Sequence, residues 1–178
     1  DVAVDVQTVV VEERGRWAVD IIVVFADGVV RKRIDTHATR ARAELAADLI
    51  RRAAKVKVDV VNIDERETGQ RMLLNYGHTL GHALEALTGY GTLLHGEAVA
   101  IGMDLAARVA LRMELWGPES VERQRALLQA YGLPTSVPAG VDLSRLLELT
   151  LRDKKVHAGR VRWVLPTAHR EFGSCALG

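Results

Sequence analysis

The chain has 178 residues, a formal net charge of +1 and a single cysteine. This length suits one ordinary domain, or a small module joined to a medium one, and excludes two full catalytic domains. Because charges of both signs are interspersed, the sequence lacks the basic stripe typical of nucleic-acid binding. Cys175 cannot form an internal disulfide and has no zinc-finger spacing around it, which indicates a reducing, cytoplasmic setting.

The apolar segments bear on membrane association and targeting. Residues 1–5 contain neither a basic region nor an apolar run, and the longest apolar stretch, residues 98–111, is interrupted by Asp104 and Arg108. We therefore expect no membrane partner. A start at Asp rather than Met indicates a fragment or a processed chain, and the sequence leaves both open.

The first predicted elements are strands. Residues 4–34 alternate in three runs rich in valine and isoleucine, and turn residues that include Gly15 and Gly28 separate the runs. Glycine at these positions suits the positive φ of a hairpin turn. The pattern predicts a three-stranded antiparallel meander that packs on the helical part through valine, isoleucine and Trp17.

A helical period begins at Thr39 and continues toward Val60, with Thr36 or Thr39 as the cap. Its predicted apolar face comprises Ala43, Leu45, Ala46, Leu49, Ile50 and Ala53. The change of period predicts a β-rich module of unknown role over 1–42 and a helical domain over 43–178. The fold class is α+β.

Glycine and proline breaks divide the rest of the chain into helices. They predict four helices, over residues 70–88, 96–115, 120–131 and 143–152. Residues 161–166 then read as a short strand.

A polar stripe occupies the first of these helices. Offsets of four, three and four place its members on one face of a helix with about 3.6 residues per turn. If the stripe faces the core, burying its polar side chains costs free energy unless a metal, an anion or a substrate binds them. The alternative interpretation is a stripe that faces solvent and has no ligand. Gly77 and Gly81 favour the ligand-binding interpretation. Glycines lower the stability of a surface helix, but they allow another backbone or a ligand to approach closely. The stripe consists of Arg71, Asn75, His78 and His82.

His95 stands at the expected entrance to the next helix, where it can meet His78 across an antiparallel helix pair. Neutral imidazoles are zinc ligands, and a catalytic zinc usually has three protein ligands. With these two candidates, the third ligand must come from elsewhere. The alternative for His95 alone is a capped loop histidine.

Cations flank the stripe in sequence. Lys57 precedes it, and Lys154 and Lys155 follow the last predicted helix. Single lysines are usually solvated, but lysines converging with Arg71 would hold a substrate that carries several negative groups, such as a carboxylate and a phosphate.

Three segments together resemble the 3-dehydroquinate synthase family. They are residues 75–85 (NYGHTLGHALE), 88–91 (TGYG) and 94–103 (LHGEAVAIGM), and the likeness extends over roughly two thirds of the chain. The resemblance implies the mostly α-helical C-terminal domain of that family, here preceded by the meander. Related sugar phosphate cyclases, such as deoxyinosose synthases, share parts of the pattern.

The resemblance implies an NAD- and zinc-dependent (or cobalt-dependent) lyase of the shikimate pathway, which cyclises a seven-carbon keto-acid sugar phosphate with loss of phosphate. His78 and His95 then correspond to metal ligands, and Arg71 to the residue that grips the substrate carboxylate. Asn75 and His82 correspond to partners of hydroxyl or phosphate oxygens, with His82 carrying protons. Lys57 and either Lys154 or Lys155 correspond to substrate-holding lysines.

The sequence also departs from that family. The family's nucleotide-binding domain carries a glycine-rich loop and a glutamate ligand for zinc, and residues 1–42 contain no such loop. We therefore expect NAD to need a partner domain that this chain does not show, and the isolated chain to be inactive. A homodimer is left open, as are three alternative functions. They are a related sugar phosphate cyclase such as a deoxyinosose synthase, a non-catalytic module that binds a metabolite or a partner enzyme, and an unrelated metal-binding helical bundle.

Overall fold

The computed structural model describes residues 3–64, 69–89, 91–151, 156–157, 160–168 and 172–177. Lys154 and Lys155 lie outside these residues. The chain forms two compact units, Asp1–Leu74 and Asn75–Gly178, so the meander shares a unit with the first long helix. The predicted division into 1–42 and 43–178 stays a prediction about domains.

The first unit contains the predicted antiparallel meander. Its strands are β1 (Ala3–Glu13), β2 (Arg16–Phe25) and β3 (Val29–His37), with β2 in the centre. Positive φ values at Arg14 and Gly15 form the first turn. At the second turn the Phe25 amide donates to the Gly28 carbonyl at 2.8 Å. The predicted meander is confirmed by the antiparallel pairing of β1 with β2 and of β2 with β3. The expected positive φ is present at Gly15, but the expectation is wrong for Gly28.

Helix α1 (Arg40–Ile63) packs on the meander, as predicted. The Thr39 hydroxyl caps it by accepting from the Arg42 amide at 3.4 Å. The predicted inward positions of Leu45, Leu49 and Ala53 are wrong, since Leu45 and Leu49 are 64% and 43% exposed and Ala53 is exposed as well. Leu45 lies about 200° around the helix from Ala43, which faces the sheet. The buried cluster comprises Val19, Ala43 and Ala47, with Val10, Trp17, Ala46 and Ile50 packed against it.

The predicted single helix over residues 70–88 is wrong. A 3₁₀ helix covers Gln70–Asn75, and α2 (His78–Thr88) begins only after Gly77, whose φ of 77° breaks the helical path. A left-handed φ is accessible to glycine because it has no Cβ. Arg71 and Asn75 therefore lie in the 3₁₀ helix before the break, and His78 and His82 lie in α2 after it.

The remaining helices match the predictions within a few residues. They are α3 (His95–Arg112), α4 (Pro118–Ala130) and α5 (Leu143–Leu151). Helix α4 begins two residues earlier than predicted because Pro118 occupies its first turn, where a missing amide proton costs nothing. Asp142 precedes α5, and its carboxylate accepts from the Ser144 amide at 2.9 Å.

A second antiparallel sheet belongs to the second unit. Strand β5 (Arg160–Pro166) confirms the predicted strand, and it lies between β4 (Val156–His157) and β6 (Phe172–Leu177), which were not predicted. Leu84, Ile101 and Leu165 are fully buried in this unit, so α2, α3 and β5 all contribute to its core. Among the described residues, no helix is long and apolar enough to cross a membrane.

A buried acid joins α3 to α4. The Asp104 carboxylate is fully buried and accepts from Arg108 Nε at 2.7 Å and from Arg125 Nε at 2.9 Å. Burying a carboxylate is costly unless hydrogen bonds and opposite charges compensate it, and both arginines supply them. Arg125 belongs to α4, so the contact holds the two helices together.

Asp104→Ala is expected to destabilise the chain by about 2–3 kcal/mol, since it removes charge-assisted hydrogen bonds inside the unit. Urea unfolding followed by circular dichroism measures this loss. Glu122→Ala is the matched control, because Glu122 contacts the same Arg125 from an exposed position. Exposed ion pairs contribute about 0–1 kcal/mol, so equal losses for the two variants would contradict the assignment.

Candidate metal centre

Three histidines meet between α2 and α3. His78 and His82 lie one turn apart on α2, and His95 is the first residue of α3. One ring nitrogen from each can be chosen such that all three lie within 4.8 Å of one another. The ring centroids of His78 lie 5.4 Å from those of both His82 and His95. The predicted encounter of His78 with His95 is thus observed, and His82 joins them.

The surroundings of His78 define which of its nitrogens can bind a metal. Nδ1 lies 3.1 Å from the Tyr76 carbonyl oxygen. Because a carbonyl only accepts, Nδ1 carries the proton in this contact and Nε2 keeps a lone pair. A metal-binding histidine typically donates its other ring proton to such an oxygen.

His95 has an equivalent partner in a carboxylate. Its Nδ1 lies 3.2 and 3.3 Å from the two carboxylate oxygens of Glu85, whose side chain is only 15% exposed. This contact orients the ring and leaves Nε2 available as a ligand atom. Our sequence reasoning gave Glu85 no role, although its position three residues after His82 on α2 places it on the histidine face.

Tyr76 anchors the carbonyl that orients His78. Its hydroxyl lies 2.7 Å from Gln124 Oε1 and 3.2 Å from the Met103 carbonyl oxygen. Burial raises the pKa of the Tyr76 phenol to about 12, so the hydroxyl stays protonated at neutral pH. The sequence gave no sign of this role, because Gln124 is distant along the chain.

Glycines allow α2 and α3 to approach closely enough for the histidines to meet. A Cβ on Gly77 would lie 2.6 Å from Met103 Cγ and 2.7 Å from the Val99 carbonyl oxygen. A Cβ on Gly102 would overlap the Gly77 carbonyl oxygen, and one on Gly81 would lie 3.1 Å from Val99 Cα. The expectation that Gly77 and Gly81 permit the approach of another backbone agrees with this geometry.

The other predicted site residues are distributed over the chain. Asn75 ends the 3₁₀ helix and is partly buried. Lys57 and Arg71 belong to the first unit, where they line one cavity. Their predicted roles toward substrate stay predictions, as do those of Lys154 and Lys155.

The donor set fits a divalent transition metal. Zinc and cobalt accept imidazole nitrogen, and the donors around a tetrahedral zinc, each about 2.0–2.1 Å from it, lie roughly 3.4 Å apart. Nitrogens within 4.8 Å of one another reach that spacing after small side-chain rotations. His82 and His95 are exposed, so an ion and a substrate can reach the cluster.

Such a helical domain, with histidines from two adjacent helices facing one point, is typical of a metal-binding enzyme domain. A family model described as the 3-dehydroquinate synthase C-terminal domain matches residues 23–156. The chain therefore belongs to this family, and it is not an unrelated helical bundle.

Curated relatives of the chain include two cyanobacterial proteins named 3-dehydroquinate synthase. One, from Nostoc punctiforme, is 49% identical over 80% of this chain and 39% of its own length. Another, from Synechocystis sp., is 52% identical over 70% of this chain and 35% of its own length. The chain thus spans well under half the length of these relatives.

One solved structure has a fold similar to that of this chain. It is a 2-deoxy-scyllo-inosose synthase complexed with carbaglucose-6-phosphate, NAD+ and Co2+. It has a TM-score of 0.61 and 26% identity, and the match covers 69% of this chain and 36% of the other. The resemblance to a sugar phosphate cyclase agrees with the expectation from the sequence.

Proposed function

We propose that this chain is the metal- and substrate-binding half of a 3-dehydroquinate synthase, with His78 and His95 as ligands of a divalent metal, zinc in preference to cobalt. The observation that carries the proposal is the convergence of three imidazoles, two of them with outer partners. Curated relatives at 45–52% identity favour this activity over that of the deoxyinosose synthase, which is 26% identical.

The bound metal would polarise the substrate hydroxyl that is oxidised, while NAD, held by a nucleotide-binding half outside this chain, would accept the hydride. The residues of this chain bind and orient. Tyr76 and Glu85 fix the rings of His78 and His95 through their Nδ1 atoms. Rings held in this way would present their Nε2 atoms to a metal ion in fixed orientations.

His82 is proposed as the proton carrier. Its ring stacks on that of His95 with centroids 5.8 Å apart, and it is exposed to solvent. An imidazole nitrogen with a lone pair can accept a proton from the substrate and pass it to water. A three-histidine metal site is the competing arrangement, in which His82 would be a ligand.

Arg71 and Lys57 are proposed to bind the carboxylate and phosphate of the sugar phosphate. Asn75 and one of Lys154 and Lys155 would contact other oxygens. A guanidinium forms paired hydrogen bonds with a carboxylate, which supports this role for Arg71. The relative complexed with carbaglucose-6-phosphate supports a sugar phosphate as the substrate class.

His78→Ala and His95→Ala are each expected to weaken zinc binding at least tenfold, since each removes a ligand. Equilibrium competition against a chromophoric zinc chelator measures the affinity, and Co²⁺ absorption in the visible range reports the coordination. His37→Ala, in the first unit, is the control and should leave the affinity unchanged.

His82→Ala distinguishes a site in which His82 carries protons from one in which His82 is a third metal ligand. A proton carrier is not a ligand, so this variant should retain zinc affinity within about threefold and keep the Co²⁺ spectrum. A loss as large as that of His78→Ala would contradict the proposed role of His82 and support three histidine ligands. Unchanged affinity in all three variants would refute the metal site.

A further inference from the structure

Helix α1 carries a second apolar face, opposite the one that packs on the meander. Its buried residues are Ala43, Ala47 and Val58, which fall within about 60° of one another around the helix. On the opposite side, four large apolar side chains fall within about 40° of one another and are 43% to 70% exposed. This outer row consists of Leu45, Leu49, Val56 and Ile63.

The spacing of the outer row is that of a coiled-coil seam. Its members lie at intervals of four, seven and seven residues, so they continue in one line along about 27 Å of the helix. A helix that packs on a sheet through one face normally has charged or polar residues on the opposite face. A line of exposed apolar side chains there indicates a surface that another helix covers.

Two opposite charges in the seam indicate which helix this is. Arg52 and Asp59 occupy the remaining positions of the heptad pattern, and both are exposed. If two copies of α1 pack antiparallel with Leu45 facing Ile63, Arg52 of one copy lies within about one turn of Asp59 of the other. In a parallel pair each charge would face its own counterpart, and like charges repel. The charge pattern of α1 therefore complements a reversed copy of α1.

The ion pairs within α1 do not oppose this packing. Arg52 lies 3.6 Å from Asp48, and Lys55 lies 2.9 Å from Asp59. All four side chains are exposed, where an ion pair contributes only about 0–1 kcal/mol. Arg52 and Asp59 can therefore turn to each other across a seam at little cost.

We propose that the outer row is the interface of a homodimer in which two copies of α1 pack antiparallel. Leu45 of each copy would contact Ile63 of the other at both ends of the seam, and Leu49 and Val56 would fill its middle. A seam about 27 Å long and one helix wide is smaller than the interface of about 800 Å² per partner that is typical of stable complexes. We therefore expect a micromolar dissociation constant. The proposal involves no residue of the metal or substrate site, so it does not rest on the proposed function.

Sedimentation equilibrium of the 178-residue chain measures the dimer. EDTA is present, so that no metal links two copies through their histidines. Val56→Lys should weaken the dimer at least about tenfold, because it places a positive charge in the seam beside Arg52 of the other copy. Asn62→Lys is the matched control and should leave the dimer unchanged, since residue 62 is exposed and lies about 100° around the helix from the outer row.

A chain that stays monomeric at about 1 mM would overturn the proposal, because a micromolar dimer is then fully formed. Equal losses for Val56→Lys and Asn62→Lys would overturn it as well, since they would show that the added charge weakens association irrespective of the outer row. Circular dichroism checks that both variants are folded.

Disulfide formation tests the antiparallel direction and does not depend on those variants. Cys175→Ser removes the native thiol from every chain used. A mixture of Leu45→Cys and Ile63→Cys chains should cross-link under mild oxidation, because the two positions face each other. Neither variant alone should cross-link, since antiparallel packing holds two copies of the same position about 27 Å apart. Cross-linking of Leu45→Cys chains with one another would contradict the proposed packing.

The nucleotide-binding half of the Nostoc punctiforme relative tests the other possible occupant of the outer row. It is added to the chain and to Val56→Lys in the same centrifuge experiment. If the proposal is correct, Val56→Lys binds this half as well as the parent chain does. A parent chain that is monomeric alone, and that loses binding of this half in Val56→Lys, would overturn the proposal and assign the outer row to that half.

Discussion

Gly102→Ala is expected to destabilise the second unit by at least about 3 kcal/mol and to lower its melting temperature by more than roughly 10 °C. The added Cβ would overlap the Gly77 carbonyl oxygen and lie 3.0 Å from the Gly81 amide nitrogen. Both are backbone atoms, which cannot rotate away as a side chain can. Helices α2 and α3 would have to separate, and the histidine cluster would separate with them.

Gly96→Ala is the matched control for this prediction. It lies in the same helix, and a Cβ there would meet no atom within 4 Å. Alanine favours helix by up to about 1 kcal/mol over glycine, so this variant should be at least as stable as the parent chain. Thermal unfolding of the metal-free protein, followed by circular dichroism, compares the two. Similar melting temperatures would show that the close contact of α2 with α3 is absent.

Purified alone and supplied with NAD and zinc, the 178-residue chain is expected to release no phosphate from the seven-carbon keto-acid sugar phosphate. Its family match is to a C-terminal domain, and residues 1–42 contain no glycine-rich nucleotide loop. Without a bound hydride acceptor the ring hydroxyl is not oxidised. The loss of phosphate depends on the ketone that this oxidation creates, so the reaction stops before it.

A phosphate-release assay measures this, with the synthase of Nostoc punctiforme as the positive control. The nucleotide-binding half of that relative, supplied separately, tests whether this chain completes a site. Restored turnover that His78→Ala abolishes would support the proposed function. Turnover by the chain alone would refute the expected inactivity. It would mean that this chain binds NAD through residues that form no recognisable nucleotide-binding motif.

Local signals in the sequence predicted the elements well. The alternation over 4–34 predicted the meander, and Thr39 predicted the start of α1, because turns and caps depend on residues that are neighbours in sequence. The same reasoning failed at residues 70–88. Periodicity alone cannot show that Gly77 adopts a left-handed φ, since a helical conformation is also open to glycine.

Sequence by itself determined the family, the meander and the helical character of the second unit, and it predicted that His78 and His95 lie close together. Only the tertiary structure decided which groups hold those rings, namely the Tyr76 carbonyl and Glu85. It also decided that α2 and α3 approach through Gly77 and Gly102, and that Leu45 and Leu49 face away from the sheet. The physical reason is that burial, overlap and hydrogen-bond geometry depend on residues far apart in sequence, whose distances are set by packing.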